Sequence, residues 1–331
     1  MSETSNIPQP HRRSIEDFRG DFEELAVLMR DSWAENKSQP LLYTAEFLSS
    51  FFSYPGASFH NSPTLYEDSK PAAFIGGFPR RLKWKGRDLR ILALSFLTVI
   101  TEYKNGGYGI VLWNEALKRA RAAGFDGVIN YCVQGEPMDN MMLAYFQRMK
   151  LPSTRLLSIR HLTRVIPPKQ TKTEREKVDS EFIENFLIKA RRAAESVPLA
   201  RIWSREEAEW QCQNRTNAIV ASYTSGERQG LLTGYIMQIA DRANTKCLLI
   251  EDVLWQDLLA EERRALVQKL VDSAASEGAR LCVVPLLGYA DSEPFIKARF
   301  LQSARVLNAY FTLWNGAPTP EPVTSFYLDV F

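Results

Sequence analysis

One segment in the first half of the chain constrains the fold more than any other. An apolar, β-type run covers residues 89–100, and glycines follow it at positions 106, 107 and 109. Apolar residues at helical spacing then continue to Gly124, a residue type that commonly ends a helix. A strand that leads directly into a helix is typical of an open α/β sheet. At this turn several main-chain amides meet the positive end of the helix dipole without a blocking side chain, so the segment predicts an anion-binding site.

The spacing of the three glycines distinguishes this turn from two common nucleotide-binding loops. It is not the eight-residue P-loop, which ends in Lys-Ser/Thr, and it is not G-x-G-x-x-G. No acidic residue follows a second strand at the distance that a ribose ligand would need. A P-loop nucleotidase and a dinucleotide-binding domain are therefore not expected.

The elements around the turn predict an α/β fold with a mixed sheet. Two helices come first, over residues 15–36 and 44–54. Short strands follow, and after the glycine turn a helix, a strand, a helix and a strand complete the first half. These segments cover residues 64–66, 73–78, 89–100, 110–124, 127–133, 139–149 and 155–165. The order indicates a sheet with helices on its faces.

The second half repeats this order. Gly124 and Gly278 are 278 − 124 = 154 positions apart, and the same offset aligns Val99 with Val253 and Phe146 with Phe300. Three anchors at one offset predict a duplication. The alternative is that any two α/β units would give such an order. We predict a polar arm at 1–11, a first domain at 12–166, a polar linker at 167–179 and a second domain at 180–331.

Composition removes several classes of function. Lys and Arg number 41 and Asp and Glu number 39, so the formal charge is +2, and neither a nucleic-acid nor an anionic-membrane binder is expected. The four cysteines form no C-x-x-C pair, which argues against a disulfide framework or a local metal site. No run is apolar enough to span a membrane, and the first residues are polar. We expect a cytoplasmic protein without a metal.

The glycine turn resembles the pyrophosphate loop of the GNAT acyltransferases, the GCN5-related N-acetyltransferase superfamily, which is written R/Q-x-x-G-x-G/A after a strand ending Val-x-Pro-Glu. Lys104, Gly107 and Gly109 fill this pattern, with Lys in place of Arg or Gln. Thr101 replaces the proline before Glu102. The order of elements is similar over about residues 12–165. The resemblance implies two tandem GNAT-like folds, each a central splayed mixed β-sheet flanked by helices.

The second copy has lost the loop. The positions that align with residues 104–109 are residues 258–263, which contain no glycine and carry Glu261 and Glu262. Carboxylates there would repel a pyrophosphate. We therefore expect a degenerate second domain that builds the acceptor side, and one coenzyme per chain.

The resemblance also implies which residues bind the cosubstrate, acetyl-CoA or another acyl-CoA. The main chain around Thr98 would bond the pantetheine arm as an added strand does. The amides of the glycine turn would hold the pyrophosphate, and Lys104 would add a charge. The residues assigned in this way are Leu97, Thr98, Val99, Lys104, Asn105, Gly106, Gly107, Tyr108, Gly109 and Ile110.

The family reaction is direct attack of an amine on the thioester, with a general base and a general acid. The tyrosine that often serves as the acid is replaced by Phe146, so we assign the adjacent Tyr145, which points about 100° away on a helix. Tyr108 is another donor candidate. Glu136 and Asp139 are the candidate bases, although Asp139 also suits an N-cap. Cys132 is a candidate nucleophile for a covalent route. The alternative is that its thiol is simply part of the core.

Three functions stay open on these residues. The first is acetyl transfer to a small amine or amino-acid-like acceptor by a monomer or homodimer. The second uses a long acyl chain or an acyl carrier protein. A wall of Met138, Met141, Met142 and Met149 and a basic hairpin at residues 80–87 would suit this second function. The third is a non-catalytic acyl-CoA-binding protein.

Overall fold

A computed structural model describes residues 13–33, 41–104, 106–168, 175–241, 244–314 and 319–330. Its first half contains β1 (Arg13–Asp17), α1 (Phe22–Trp33), α2 (Ala45–Phe52), β2 (Pro63–Glu67), β3 (Lys70–Trp84), β4 (Arg87–Val99), α3 (Tyr108–Ala122), β5 (Gly127–Val133), α4 (Pro137–Arg148) and β6 (Ser153–Val165). The second half contains α5 (Ser180–Glu195), β7 (Leu199–Arg201), α6 (Arg205–Glu209), β8 (Ala218–Ser225), β9 (Arg228–Gln238), β10 (Lys246–Leu254), α7 (Ala260–Ser276), β11 (Leu281–Leu286), α8 (Glu293–Lys297) and β12 (Leu301–Leu313). The predicted arm and residues 169–174 of the predicted linker lie outside the described residues.

All twelve strands join one mixed sheet. Its order is β1-β2-β3-β4-β5-β12-β6-β11-β10-β9-β8, and β7 pairs with β3. In each half three strands run antiparallel and the next pair, β4 with β5 or β10 with β11, is parallel. The last strand of each half crosses into the other, so β12 lies between β5 and β6. The predicted mixed-sheet fold is present, and this exchange is a feature that the sequence does not indicate.

The start of the first predicted helix is wrong. The predicted segment began at residue 15, but Ile15 lies in β1, which pairs with β2 at the edge of the sheet. The helix begins only at Phe22, where the carboxylate of Asp21 accepts the amide of Glu24 at 3.0 Å. This side-chain cap fixes the helix start within a segment whose apolar spacing looked continuous.

Two of the three duplication anchors occupy matching positions. The amide of Phe125 bonds to the carbonyl of Ala120, and the amide of Ala279 bonds to that of Ala274, so the ends of α3 and α7 match at the predicted offset of 154. Val99 and Val253 lie at the ends of β4 and β10.

The third anchor is wrong. The amide of Leu151 bonds to the carbonyl of Phe146 just as that of Phe300 bonds to the carbonyl of Phe295. Phe146 therefore corresponds to Phe295, at an offset of 295 − 146 = 149. The physical reason is that α8 is shorter than α4, with 5 residues against 12.

Helices cover the two faces of the sheet. On one face α3 buries Leu112, Ala116 and Ala120 against Leu92 of β4 and Val128 of β5. On the other, α1 and α2 pack with strands of both halves in one cluster that includes Phe74, Phe78, Tyr235 and Leu249. No helix among these residues is long and apolar enough to cross a membrane. The core therefore continues across the boundary between the two halves.

A buried ion-pair cluster ties the C-terminal segment to both halves. Asp329 forms ion pairs with Arg80 of β3 at 2.6 Å and with Arg201 of β7 at 3.0 Å, and the three side chains are at most 7% exposed. Burial raises the pKa of the Asp329 carboxyl, but the two guanidinium groups outweigh it and hold that pKa at about 2. Tyr131 of β5 also donates to the main-chain carbonyl of Asp329.

The predicted basic hairpin joins β3 to β4 through an exposed turn at Lys85 and Gly86, and Arg81, Lys83 and Arg87 are exposed as well. Arg80 belongs to the buried cluster, Leu82 and Trp84 are fully buried, and β7 pairs with this part of β3. The hairpin and the glycine turn lie at opposite ends of β4, which at about 3.3 Å per residue separates them by roughly 40 Å. The hairpin is therefore too far away to contact a phosphate bound at the glycine turn.

We expect Asp329→Asn to lower the free energy of unfolding by about 3–5 kcal/mol, because it removes a buried carboxylate that pairs with two buried guanidinium groups. Urea unfolding measures this loss. Glu321→Gln is the matched control, since it removes an exposed partner of Lys85 in the same segment and should cost less than about 1 kcal/mol. Equal small losses in both variants would contradict the role of the cluster.

The contribution of Asp329 should depend on pH. Its folded pKa of about 2 lies below the ordinary value of about 3.9, so the stabilisation is complete above the ordinary pKa and is lost as pH falls through the folded pKa. Urea unfolding of wild type and Asp329→Asn between pH 7 and pH 2 should show the gap between them narrowing by about 2–3 kcal/mol. A gap that stays constant would show that the carboxyl titrates normally.

Candidate functional site

The central feature of the site is a gap between β4 and β5. Their parallel ladder ends at the pair Leu94 and Asn130, although β4 continues to Val99 and β5 to Val133. On its other edge β4 carries a bulge between Ser95 and Thr98. Phe96 in this bulge has a φ of 60°, a left-handed conformation that costs a bulky residue energy and that clusters at functional sites. The carboxyl ends of the two strands therefore open onto a space between them.

The glycine turn lies beside this gap. Gly107 occupies the N-cap position of α3 with a φ of 75°, which only glycine adopts easily, and no side chain caps the helix. A Cβ on Gly107 would meet no atom within 4 Å, and one on Gly109 would lie 3.7 Å from a methyl group of Val99. The space in front of the first-turn amides is therefore open, as a bound pyrophosphate would require. The predicted contributor Asn105 lies outside the described residues.

Lys104 has a different contact from the predicted one. Its Nζ donates to the carbonyl oxygen of Ser32 at 2.8 Å. Ser32 is in the last turn of α1, where a cation interacts favourably with the helix dipole. The contact with a phosphate stays a prediction, because Lys104 would have to leave this carbonyl to make it.

Arg13 is a charge at the turn that the sequence analysis did not find. It donates to the hydroxyl of Tyr108 at 2.8 Å and to that of Tyr103 at 2.9 Å, and it pairs with Glu67 at 2.8 Å. Tyr103 also donates to Glu67. Through these bonds the edge strand β1 and its neighbour β2 hold both ends of the turn, since Tyr103 precedes the glycines and Tyr108 follows Gly107.

An apolar cleft runs from the turn between α3 and α4. It is lined by Gly109, Ile110 and Trp113 of α3 and by Met138, Met141, Met142 and Tyr145 of α4. Three of the four predicted methionines therefore form a wall, and Met149 does not line this cleft. Since Gly109 belongs to both features, the cleft is continuous with the anion site.

Tyr145 and Phe146 point in different directions, as their helical positions require. Phe146 is buried in the core, whereas the ring of Tyr145 lines the cleft and its hydroxyl donates to Asn114 of α3. Burial raises the pKa of Tyr145, which keeps the hydroxyl protonated as a proton donor must be. Its role as general acid stays a prediction.

Asp139 is held by the second half of the chain. Its carboxylate accepts from Asn308 and Tyr310 of β12, each at 2.7 Å, and from the amide of Gly135 at 3.0 Å. Burial raises the pKa of Asp139, but these hydrogen bonds outweigh it, with Asn308 contributing most, and the pKa is lowered. A carboxylate with these partners ties α4 to β12. The geometry therefore gives Asp139 a structural role, while its role as a base stays untested.

Glu136 is better situated to accept a proton. It follows β5 at the gap and occupies the N-cap position of α4, but its side chain does not cap the helix. The negative charge of its carboxylate instead interacts electrostatically with the guanidinium of Arg305 in β12. Cys132, in contrast, is 7% exposed, and burial raises the pKa of its thiol to about 12, with Asp139 adding to the effect. A neutral thiol is a poor nucleophile, which disfavours the covalent route.

In the second copy, the chain's own side chains occupy both equivalent positions. At the start of α7 the carboxylate of Glu262 accepts the amide of Leu259 at 2.8 Å, and Arg228 together with that amide lowers the pKa of Glu262 to about 2. The hydroxyl of Tyr289 accepts the amide of Val253 at 2.9 Å and donates to the carbonyl of Glu251 at 3.4 Å.

These two main-chain groups are the second-copy equivalents of predicted pantetheine contacts. Val253 and Glu251 lie 154 positions after Val99 and Leu97, since 253 − 99 and 251 − 97 are both 154. The anion position and the strand-edge position of the second copy are therefore both taken. These two occupied positions are the structural basis of the predicted degeneracy of the second copy. Across the described ranges, no group of three or more His, Cys, Asp or Glu side chains is arranged to hold a metal ion.

The fold and this site define the class of protein that the chain resembles. Its predicted fold, that of the GNAT superfamily in two copies, is confirmed by comparison with solved structures. Saccharomyces cerevisiae N-myristoyltransferase with bound myristoyl-CoA superposes with a TM-score of 0.71 at 13% identity, over 94% of this chain and 85% of that one. A second structure of that enzyme gives 0.72 at 13% identity, over 95% and 82%.

A GCN5-related N-acetyltransferase from Kribbella flavida gives a TM-score of 0.51 at 11% identity, over 91% of this chain and 71% of that one. No family model and no curated protein matches the sequence. At these identities the likeness concerns the fold alone.

Several site residues had no local signal in the sequence. Asn308, Tyr310 and Arg305 come from β12, and Tyr289 comes from the loop after β11. They reach their partners only through the strand exchange or through tertiary packing. Arg13 precedes the predicted first helix, and the sequence analysis predicted no strand there, although Arg13 begins the edge strand β1.

Replacing Gly109 with glutamate should weaken coenzyme A binding at least a hundredfold, about 2.8 kcal/mol, because a carboxylate would enter the space in front of the α3 amides. The fold should persist, since a Cβ at this position makes ordinary contacts. Titration calorimetry measures the affinity. Ala122→Glu, on the exposed last turn of the same helix, is the control and should bind as wild type does. Unchanged affinity in Gly109→Glu would refute the site.

Proposed function

We propose that the chain is an N-acyltransferase that uses an acyl-CoA donor. The observation that carries this proposal is the uncapped start of α3 beside the gap between β4 and β5. An open anion site and an open strand edge fit the pyrophosphate and pantetheine parts of coenzyme A. The proposal is supported by the fold, which the chain shares with an N-myristoyltransferase that binds myristoyl-CoA and with an N-acetyltransferase.

In this proposal the donor follows the turn and then the gap. The pyrophosphate accepts from the amides of Gly107, Tyr108 and Gly109, with Asn105 and Lys104 as further predicted contacts. The amides of Gly106 and Ile110, which were also predicted, donate to the carbonyls of Tyr103 and Gly107. The pantetheine arm lies along the main chain of Leu97, Thr98 and Val99. The thioester then reaches the space beyond Leu94 and Asn130. The acyl group supplies the electrophilic carbon.

The reaction is direct transfer. The acceptor amine gives a proton to Glu136, directly or through a water molecule, and attacks the thioester carbon. The C–S bond breaks, and the leaving thiolate takes a proton from Tyr145 or from solvent. No covalent intermediate on the protein is needed, which agrees with the burial of Cys132.

We consider two candidate classes of acyl donor. Acetyl transfer to a small amine is the first candidate. A long-chain donor is the second. The wall of Met138, Met141 and Met142 has the apolar lining that an acyl chain prefers, and the cleft, with a volume of about 10 Å³, would have to widen to admit one. We propose coenzyme A rather than a carrier protein, because the basic hairpin lies about 40 Å from the glycine turn.

The direct test has two parts. Mass spectrometry of the protein purified under native conditions should identify an acyl-CoA or coenzyme A retained from the expression host. A thiol-release screen with acetyl-, octanoyl- and myristoyl-CoA against a panel of amines should then give turnover. Coenzyme binding without thiol release on any amine would replace the proposal with the non-catalytic function.

Glu136→Gln should lower kcat by about 10²–10⁴-fold, because the amide cannot accept the proton of the acceptor amine. Coenzyme binding should stay unchanged by calorimetry. Glu293→Gln is the matched control, since it removes an exposed carboxylate from the first turn of α8, the counterpart of α4. If Glu136→Gln keeps full turnover across the pH range, another group is the base.

A further inference from the structure

β12, a strand of the second half, pairs with the edge of β5 opposite the gap and carries a guanidinium group near the end of β5. β12 pairs with β5 as far as Leu307 and Val133, and the amide of Gln134 then bonds to the carbonyl of Val306 at 2.9 Å. Between Gln302 and Val306 the ladder with β6 is interrupted by a bulge opposite His161. Arg305 belongs to this bulge. It therefore lies beside the carboxyl end of β5.

The hydrogen bonding of Arg305 is incomplete. Its Nε is buried and has no hydrogen-bond partner among the described residues. Burial lowers the pKa of Arg305, and the opposing attractions of Tyr43 and Glu136 do not restore it. A buried guanidinium is ordinarily bonded to anions or carbonyl oxygens on several of its five donors. The Nε of Arg305 is thus a hydrogen-bond donor that no described residue satisfies.

Two groups from other elements, Tyr43 and Glu136, interact with this guanidinium. Tyr43, just before α2, lies with its ring centroid 6.1 Å from that of Phe96 in the β4 bulge. Tyr43 also interacts electrostatically with Arg305, and Arg305 interacts with Glu136. A carboxylate for an amine proton and a guanidinium for an anion therefore lie within electrostatic range of each other, near the main-chain bond between Gln134 and Val306 at the end of β5.

We infer that Arg305 binds a carboxylate of the acceptor, so that the acceptor is a molecule carrying both an amine and a carboxylate. Its amine faces Glu136 and its carboxylate faces Arg305, in the bidentate geometry that a guanidinium offers. The second half of the chain thereby supplies the specificity of the site in the first half. This inference rests on the proposed N-acyltransferase function.

The kinetic test compares amino acids with their carboxamides as acceptors, including glycine, β-alanine and γ-aminobutyrate. For wild type we expect kcat/KM at least tenfold to a hundredfold higher for the acid of the preferred pair, as a charge-assisted hydrogen bond allows. Arg305→Met should abolish this ratio, mainly through KM of the acid. Arg305→Lys should recover part of it. Lys297→Met, which removes an exposed charge from the same half, is the control and should keep the ratio.

A binding test separates this inference from the proposed function. Calorimetry on the coenzyme A-saturated protein should show that wild type binds the N-acetyl form of the preferred amino acid more tightly than the N-acetyl carboxamide, and that Arg305→Met does not distinguish them. Acid-selective binding without thiol release would keep this inference and defeat the proposed activity. Turnover without acid selectivity would do the reverse.

Other outcomes overturn the inference in distinct ways. If Arg305→Met weakens coenzyme A binding, the guanidinium serves a phosphate of the donor. If it lowers kcat equally for acids and carboxamides, the guanidinium stabilises the transition state. If it lowers the melting temperature and leaves the acid preference intact, the contact with Glu136 is structural, whereas an arginine that lacks a partner is replaced by Met without loss of stability.

Discussion

The early end of the parallel ladder between β4 and β5 is the constraint on which the rest of the site depends. Four registered pairs hold the strands together, and beyond Leu94 and Asn130 the strands separate. Because α3 starts directly after β4, its uncapped amides face the same space that the unpaired strand edge faces. Donor binding, the apolar cleft and the catalytic candidates all follow from this one divergence.

The second copy supports the first instead of repeating it. Glu262 and Tyr289 fill its anion and strand-edge positions, so it has no open counterpart of the donor site. Its last strand crosses into the first copy, where Asn308 and Tyr310 fix Asp139 and the bulge presents Arg305. Because of the strand exchange, residues from both halves contribute to one site. The Asp329 cluster holds the C-terminal segment against both halves.

Local sequence signals predicted the parts of the fold that local physics determines. The glycine turn, the end of α3 at Gly124 and the division of Tyr145 and Phe146 between cleft and core all follow from positions a few residues apart. The strand exchange, the partners of Asp139 and the contact of Lys104 with α1 depend on residues far apart in sequence. The predicted start of the first helix was wrong because the cap at Asp21 interrupts an apolar pattern that otherwise continues. The predicted alignment of Phe146 with Phe300 was wrong because α8 is short.

The measurement that tests this account most directly is the stoichiometry of donor binding. Titration of the full chain with acetyl-CoA and with myristoyl-CoA, followed by calorimetry and native mass spectrometry, counts the donor molecules bound per chain. The account predicts one, bound at the glycine turn of the first copy. Two equivalent sites would show that the second copy is open, and no binding of either thioester would contradict the donor site itself.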